Sequence, residues 1–251
     1  MRFRFSDKGD RIKQELKDNI LNYEERGRAW GPGLRNSLRI FQVENLEVNI
    51  KSFKKPNLIN KVAYQYFRKS KAERSFINAL ALIENGIGTP TPLAYAEEEG
   101  ALFGKSYYAS ENLNPDLTFR ELVTDPGYPD HENILRAFTR FTFELHEKQV
   151  QFLDHSPGNT LIQMSGDDYK FFLVDLNRMN FKKLNFEERM LNFSRLTPKK
   201  EMVEVMADEY AKLIGKPKSE VFEKMWFYTN QFQEKFQRKK RIKKKLKFWK
   251  N

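Results

Sequence analysis

Two periods of apolar positions run along the chain, and they change over near residue 112. Before that point the pattern alternates in short runs. LRIF and LEVNIKSF read as strands, with Val48 and Ile50 flanking polar neighbours, and PLAY and GKSYYASENL read as two more. One helix interrupts them: Ala72, Phe76, Ala79, Leu80 and Ile83 recur at helical spacing, and Asn85-Gly86 supplies the stop. After residue 112 the spacing becomes helical. TFRELV and HENILRAFTRFTFELHEKQ predict helices, the second with Ile134, Leu135, Phe138, Phe141 and Leu145 on one face. A short α/β interval separates them from the last helices. Here LIQM and KFFLVDL form a predicted hairpin around Ser165-Gly166-Asp167-Asp168, and from Asn185 the chain is helical to its end. Strands early and helices late predict an α+β fold in two lobes. The expected division is a β-rich part over 1–112, a mainly helical part over 113–235, and a tail over 236–251.

Charge changes this picture in one place. The chain of 251 residues carries a net +11, yet the last seventeen residues hold ten Lys and Arg and no acid, so the remainder is nearly balanced. The basicity belongs to the tail, which argues against a basic nucleic-acid groove in the body. No stretch is apolar enough for a membrane-spanning helix, and the charged N-terminus lacks a secretory signal. The absence of cysteine excludes disulfides and thiolate metal sites and agrees with a cytoplasmic setting.

The candidate chemistry lies in FLDHSPGNTLI, residues 152–162. Asp154 is followed five residues later by Asn159, and the apolar run FFLVDLNRM then ends on Asp175. Two carboxylates and an amide carbonyl are hard oxygen donors suited to Mg²⁺, which takes few protein ligands and completes its shell with water and phosphate oxygens. In a protein-kinase catalytic loop, an Asp with an Asn five residues on provides a base and a metal ligand, and a later Asp holds metal. Asp, Pro, Gly and Asn are also the commonest turn residues, so the loop taken alone reads first as an ordinary turn. Further parts occur in kinase order. Lys51 stands in the alternating strand LEVNIKSF, and Glu73 lies in the following helix beside its apolar stripe. Gly27, Gly31 and Gly33 precede the strand, where backbone N–H groups can approach phosphates. Their spacing, Gly-x-x-x-Gly-x-Gly, departs from the kinase Gly-x-Gly-x-x-Gly.

Together these residues resemble the lipopolysaccharide kinases, the heptose and 3-deoxy-D-manno-octulosonic acid (Kdo) kinases, over about residues 27–196. NIKSFKKPNLIN, RKSKAERSF, GIGTPTPLAY, LDHSPGNTLI and LVDLNRM carry the likeness. The resemblance implies a bilobal protein-kinase-like fold, with a small β-rich N-lobe and a larger, mainly helical C-lobe. It implies an ATP- and Mg²⁺-dependent enzyme phosphorylating a sugar hydroxyl of the lipopolysaccharide inner core. Asp154 would be the catalytic base, Asn159 and Asp175 the Mg²⁺ ligands, Lys51 the contact to the ATP phosphates, and Glu73 its orienting partner. Two positions depart from the protein-kinase pattern. Phe152 replaces the His before the catalytic Asp, and Asp175-Leu176-Asn177 replaces Asp-Phe-Gly, with Asn177 expected to accept the left-handed turn. No Ala-Pro-Glu segment follows, which argues against a protein substrate. A kinase of a soluble small molecule or a protein, or a catalytically silent kinase-like binding module, would share the same nucleotide-site residues.

Histidines and tail complete the reading. His131, His146 and His155 form no metal-binding pair; His146 is a structural hydrogen-bonder, and His155 either touches the acceptor or stabilises its turn. Arg178 meets a phosphate, a sugar carboxylate or an internal acid. Ile242, Leu246 and Trp249 fall at i, i+4 and i+7 among the tail cations, the pattern of a basic helix lying on an anionic bilayer. A lipid-linked sugar acceptor at the inner face of the inner membrane would give that tail a purpose, with the protein a peripheral partner there; the alternative is a disordered, solvated charge run.

Overall fold

A computed structural model describes residues 1–30, 36–54, 69–99, 104–166 and 168–248, the side chains of residues 36 and 244–248 excepted. Gly31, Gly33, Asp167 and Trp249 lie outside the described residues. The chain mixes helix and sheet and divides into two compact units, one of residues 1–114 and 172–178, the other of residues 115–171 and 179–251.

The first unit is built on a six-stranded sheet. Its strands are β1 (Arg2–Phe5), β2 (Arg28–Trp30), β3 (Asn36–Val43), β4 (Leu46–Phe53), β5 (Pro92–Glu97) and β6 (Ser106–Glu111), in the order β1-β5-β6-β4-β3-β2 with antiparallel pairing. The helices α1 (Asp7–Arg11) and α2 (Lys13–Leu21) cover one face. Ile12, Leu16, Ile20 and Tyr23 pack there against Val48, Ile50, Leu93 and Tyr107. The other face takes α3 (Lys71–Glu84), whose Ala72 and Phe76 pack on Phe53 and Tyr95. Because side chains alternate along a strand, Val48 and Ile50 point to the first core, and Lys51 and Phe53 share the face of α3. The predicted α3 stripe shifts by one position. Leu82 is fully buried, whereas Ile83 is 44% exposed. Ser70 caps α3 by accepting from the Glu73 N–H, and Gly86 closes it at φ +66°.

The N-terminal strand was absent from the sequence expectation. Arg2 and Arg4 are exposed and Phe3 and Phe5 partly buried, so a charged segment forms an edge strand through alternation alone. The next turn is closely packed. A Cβ on Gly9 would lie 1.9 Å from the Leu93 carbonyl oxygen, so only glycine fits.

In the second unit, β7 (Leu117–Thr118) leads into α4 (Phe119–Thr124) through a capping box of Thr118 and Glu121. The helix α5 (His131–Glu147) packs on α7 (Lys200–Ile214), and α8 (Lys218–Phe248) packs on both α7 and α6 (Phe186–Asn192). Phe119, Ile134, Phe138, Met190, Phe193, Met206 and Tyr210 are among the residues that fill this core. The short strands β8 (Val150–Phe152) and β11 (Met179–Phe181) pair antiparallel, while β9 (Thr160–Ser165) lies between β10 (Asp168–Leu173) and β7. The predicted hairpin is therefore present, with Gly166 at φ +63° in its turn.

Candidate active site

In the first unit, Lys51 leaves β4 two residues before its end, on the face shared with α3. Its Nζ donates to Asp175 Oδ1 at 2.7 Å, across 124 residues of chain, and sits 5.3 Å from the Phe53 ring centroid. Both charges are partly shielded, with side chains 19% and 33% exposed. Asp175 lies on a strap, residues 172–178, anchored at two points. The Leu173 N–H donates to the Gly88 carbonyl at 2.9 Å and the Leu173 carbonyl accepts from Thr89 Oγ1 at 2.8 Å. Asn78 of α3 donates through Nδ2 to the Leu176 carbonyl at 2.6 Å.

Asp175 itself adopts the left-handed region at φ +62°. The expectation put that conformation on Asn177. Instead Asn177 is buried and donates through Nδ2 to Asp175 Oδ1 at 2.8 Å. A short polar side chain tolerates the left-handed region better than most, and it is the metal-candidate Asp that carries the strain. Both hydrogen bonds reach Oδ1, and Oδ2 receives none from the described residues.

Lys51 makes its ion pair with Asp175, and no ion pair joins it to Glu73 among the described residues. Glu73 acts electrostatically elsewhere. The Tyr95 phenol is pushed up by burial first and by Glu73 second. Gly27 does adopt a conformation that favours glycine, φ +75°, and a Cβ there would strike the Phe41 ring at 2.7 Å.

In the second unit, Asp154 and Asn159 share the loop after β8. Asn159 Nδ2 donates to the Asp154 carbonyl at 2.8 Å, and the Asn159 N–H donates to the Ser156 carbonyl at 2.9 Å. With Nδ2 engaged, Asn159 Oδ1 takes no hydrogen bond from the described residues and is the atom available to a cation. Asp154 Oδ1 accepts from Arg195 Nη1 at 2.6 Å, and the same nitrogen donates to the Leu153 carbonyl at 2.9 Å. Asn192 Nδ2 donates to the Phe152 carbonyl at 2.7 Å. Its Oδ1 lies 3.1 Å from His146 Nε2, and His146 Nδ1 lies 2.7 Å from the Tyr210 hydroxyl. Gly158 is close to Arg120, whose Nη2 would be 2.5 Å from an added Cβ.

Phe152, in the position of the kinase His, is fully buried and supports the loop by packing. Its ring lies 5.8 Å from His155, which also packs on Phe138 at 5.3 Å. His155 is fully buried, so it is no acceptor contact. Neither ring nitrogen finds a partner among the described residues. Burial, then the charges of His146 and Arg195, hold its pKa down to about 3. Burial likewise brings His146 to about 4, against the Asn192 hydrogen bond that favours the proton. Both rings are neutral at pH 7. His131 Nε2 meets the Leu122 carbonyl at 2.9 Å, a structural contact at the start of α5.

Within the first unit Asp175 Oδ2, and within the second Asn159 Oδ1, is a hard oxygen not engaged by the described residues, a donor type that Mg²⁺ accepts alongside phosphate; no group of three His, Cys, Asp or Glu that could hold a metal occurs among the described residues. Arg195 and Asn192 had no place in the sequence expectation. Nothing in the spacing of SRL or LNF distinguishes them from helix-end polar residues. Only the loop they grip does so.

The lipopolysaccharide kinase (Kdo/WaaP) family model matches residues 34–216. Among solved structures, the chain is similar to WaaP in complex with acyl carrier protein, at TM-score 0.64 and 16% identity, covering 94% of this chain and 99% of that one. It is also similar to WbdD, at TM-score 0.50 and 14% identity, covering 80% of this chain and 49% of that one. No curated protein matches by sequence. At these identities the structural likeness speaks for the fold, which is that of WaaP.

Proposed function

The chain belongs to the lipopolysaccharide kinase (Kdo/WaaP) family, whose members are phosphotransferases, and from that premise we propose that it transfers the γ-phosphoryl of ATP to a Kdo or heptose hydroxyl of the lipopolysaccharide inner core. The observation that carries the reading is the Lys51–Asp175 pair at 2.7 Å, held by a strap that Asn78 and Thr89 anchor. A lysine from a central strand beside a carboxylate that can hold metal is the pairing a kinase nucleotide-phosphate and metal site uses. In this reading the two units are the N-lobe and C-lobe of a kinase-like fold.

Each residue then has a role. Lys51 contacts the ATP phosphates, and its pairing with Asp175 pre-sets both groups before nucleotide binds. Glu73, in the helix on the same sheet face, would orient Lys51 when Asp175 turns to metal. Asp175 and Asn159 would hold Mg²⁺, which neutralises the charge on the phosphates being transferred. Asp154 orients the sugar hydroxyl and accepts its proton late, since phosphoryl transfer depends chiefly on positioning and charge stabilisation. Gly27, at φ +75°, would belong to the turn over the phosphates.

The C-terminal helix supports a peripheral location at an anionic membrane face. It is helical to Phe248, lies beyond the family match, and exposes Lys235, Arg238, Lys239, Lys240, Arg241 and Lys243 together with Phe236 and Ile242. No helix among the described residues is long and apolar enough to cross a membrane. A cationic helix of this kind binds an anionic leaflet peripherally, where a lipid-linked acceptor is presented.

Purified protein incubated with Mg²⁺, γ-labelled ATP and rough-type lipopolysaccharide precursors tests the proposal, with Asp175→Ala as control. Label in the lipid fraction that disappears in Asp175→Ala is the expected result. Label on neither precursor while a soluble sugar is phosphorylated would overturn the acceptor. Failure to bind ATP with Mg²⁺ would overturn the kinase site.

A further inference from the structure

We propose that Arg195 is a positioning residue for the phosphoryl transfer, clamping the Asp154 carboxylate and its loop from the segment that follows α6. The inference rests on Asp154 being the base.

Three consecutive positions, the last of β8 and the first two of the loop, are gripped by two side chains of one short segment. Asn192 holds the Phe152 carbonyl at 2.7 Å, while Arg195 Nη1 holds the Leu153 carbonyl at 2.9 Å and Asp154 Oδ1 at 2.6 Å. The segment is itself secured, because Asn192 is tied through His146 to Tyr210 in the unit's core. The guanidinium lies 5.6 Å from the Phe232 ring centroid of α8, and its Nε is buried without a partner among the described residues. This differs from an exposed ion pair, which is worth little and orients little. The Asp154 side chain is only 15% exposed, and its bond to Arg195 has the length of a charge-assisted contact.

An aspartate on a turn has two free side-chain torsions. Fixing Oδ1 removes both and leaves the carboxylate in one orientation. Proton acceptance is late in phosphoryl transfer and orientation dominates, so a carboxylate held in one orientation favours rate. The same guanidinium binds the backbone carbonyl directly before Asp154, so the loop and its carboxylate are set by one group. Arg195 touches no reacting atom and acts through Asp154.

The test compares Arg195→Ala and Arg195→Lys with Asp154→Asn, measuring ADP release with rough-type lipopolysaccharide precursors and with water alone as acceptor. A displacement of the base by about 1 Å lowers kcat about a hundredfold. The expected pattern for Arg195→Ala is that loss with the KM for ATP changed by less than about twofold, the signature of an interaction lost after nucleotide binding. Added guanidinium ion, below unfolding concentrations, restores activity saturably in Arg195→Ala and leaves Asp154→Asn inactive; Arg195→Lys lies between. Hydrogen exchange of amides 153–159 reads the clamp without any acceptor and is faster in Arg195→Ala, with α5 and α7 unchanged.

Wild-type kcat and unchanged loop exchange in Arg195→Ala, with Asp154→Asn inactive, would overturn the clamp while leaving the kinase reading intact. A loss that neither guanidinium nor Lys repairs would reduce Arg195 to a structural residue. Full activity of Asp154→Asn would remove the base assignment, and the inference with it.

Discussion

Mild acid should destabilise this protein through two histidines that never meet substrate. His146 and His155 are buried, with pKa values held at about 4 and about 3 against an ordinary 6.5. A depressed histidine stabilises the fold fully above 6.5, where both states are neutral. That contribution is lost as pH falls towards the folded value, because the unfolded chain gains the proton first. At pH 5 the unfolded rings are almost fully protonated and the folded ones are not. Between pH 7 and pH 5 each ring therefore costs about 2 kcal/mol, and the two together about 4 kcal/mol, a large part of the 5–15 kcal/mol typical of a domain. At pH 5 the figure depends little on the folded value, since any pKa well below 5 leaves the ring neutral. The depressed carboxylates contribute lower down. Asp208, brought to about 2 by hydrogen bonds from Lys212 and Arg136, loses its contribution below about pH 4. Urea unfolding at pH 7 and pH 5, for wild type and His155→Leu, isolates the effect. Whatever His155→Leu costs or gains in packing appears at both pH values. The stability difference between the two proteins should move by about 2 kcal/mol in favour of the variant on going to pH 5. Parallel pH dependences would show that His155 is protonated in the folded protein and would refute the argument from burial.

Three further outcomes follow from the same contacts. Asp154→Asn should abolish phosphoryl transfer with little effect on melting temperature. Asp154→Ala should in addition lose about 1 kcal/mol, because it strands Arg195, whose Nε already lacks a partner; equal melting of the two variants would count against this. Asn78→Ala removes the hydrogen bond to the Leu176 carbonyl, and the expected cost is about 1 kcal/mol in thermal unfolding with a lower kcat as the Asp175 strap loosens. Deleting residues 236–251 should weaken sedimentation with vesicles containing anionic lipid by about 1 kcal/mol per basic residue that reaches the surface, leaving turnover of a soluble acceptor unchanged. Equal vesicle binding with and without the tail would refute the peripheral role.

Much of the fold was readable because its signals are local. Strand β4 announces itself by alternation, and that alternation already separates Ile50 from Lys51. Helices α3 and α5 follow from the recurrence of Ala72, Phe76 and Ala79, and of Ile134, Leu135 and Phe138. The loop of Asp154 and Asn159 needs only a turn of five residues, so its spacing carries its geometry. Strand β1 escaped notice because RFRF is too short and too charged to register as apolar, although its Phe residues alternate correctly.

Partner choice was the part that periodicity could not supply. A strand pattern puts Lys51 on a face but does not say which carboxylate meets it there; that depends on where residues 172–178 pass, and the structure brings Asp175 rather than Glu73 to within 2.7 Å. The left-handed residue of that strap is Asp175 for the same reason, since the strap is anchored on both sides by Thr89 and Asn78 and the backbone turns where the anchors require. His155 reads as a loop residue beside the base, yet packing between Phe138 and Phe152 buries it completely. Arg195 is forty-one residues from Asp154 and belongs to no motif. Local sequence thus determined the elements, their buried faces and the spacing of the chemical groups, all of which are encoded within a few turns or strand residues. Which groups touch across long stretches of chain is decided by how those faces pack, because a hydrogen bond requires angstrom-level proximity that only the assembled core provides.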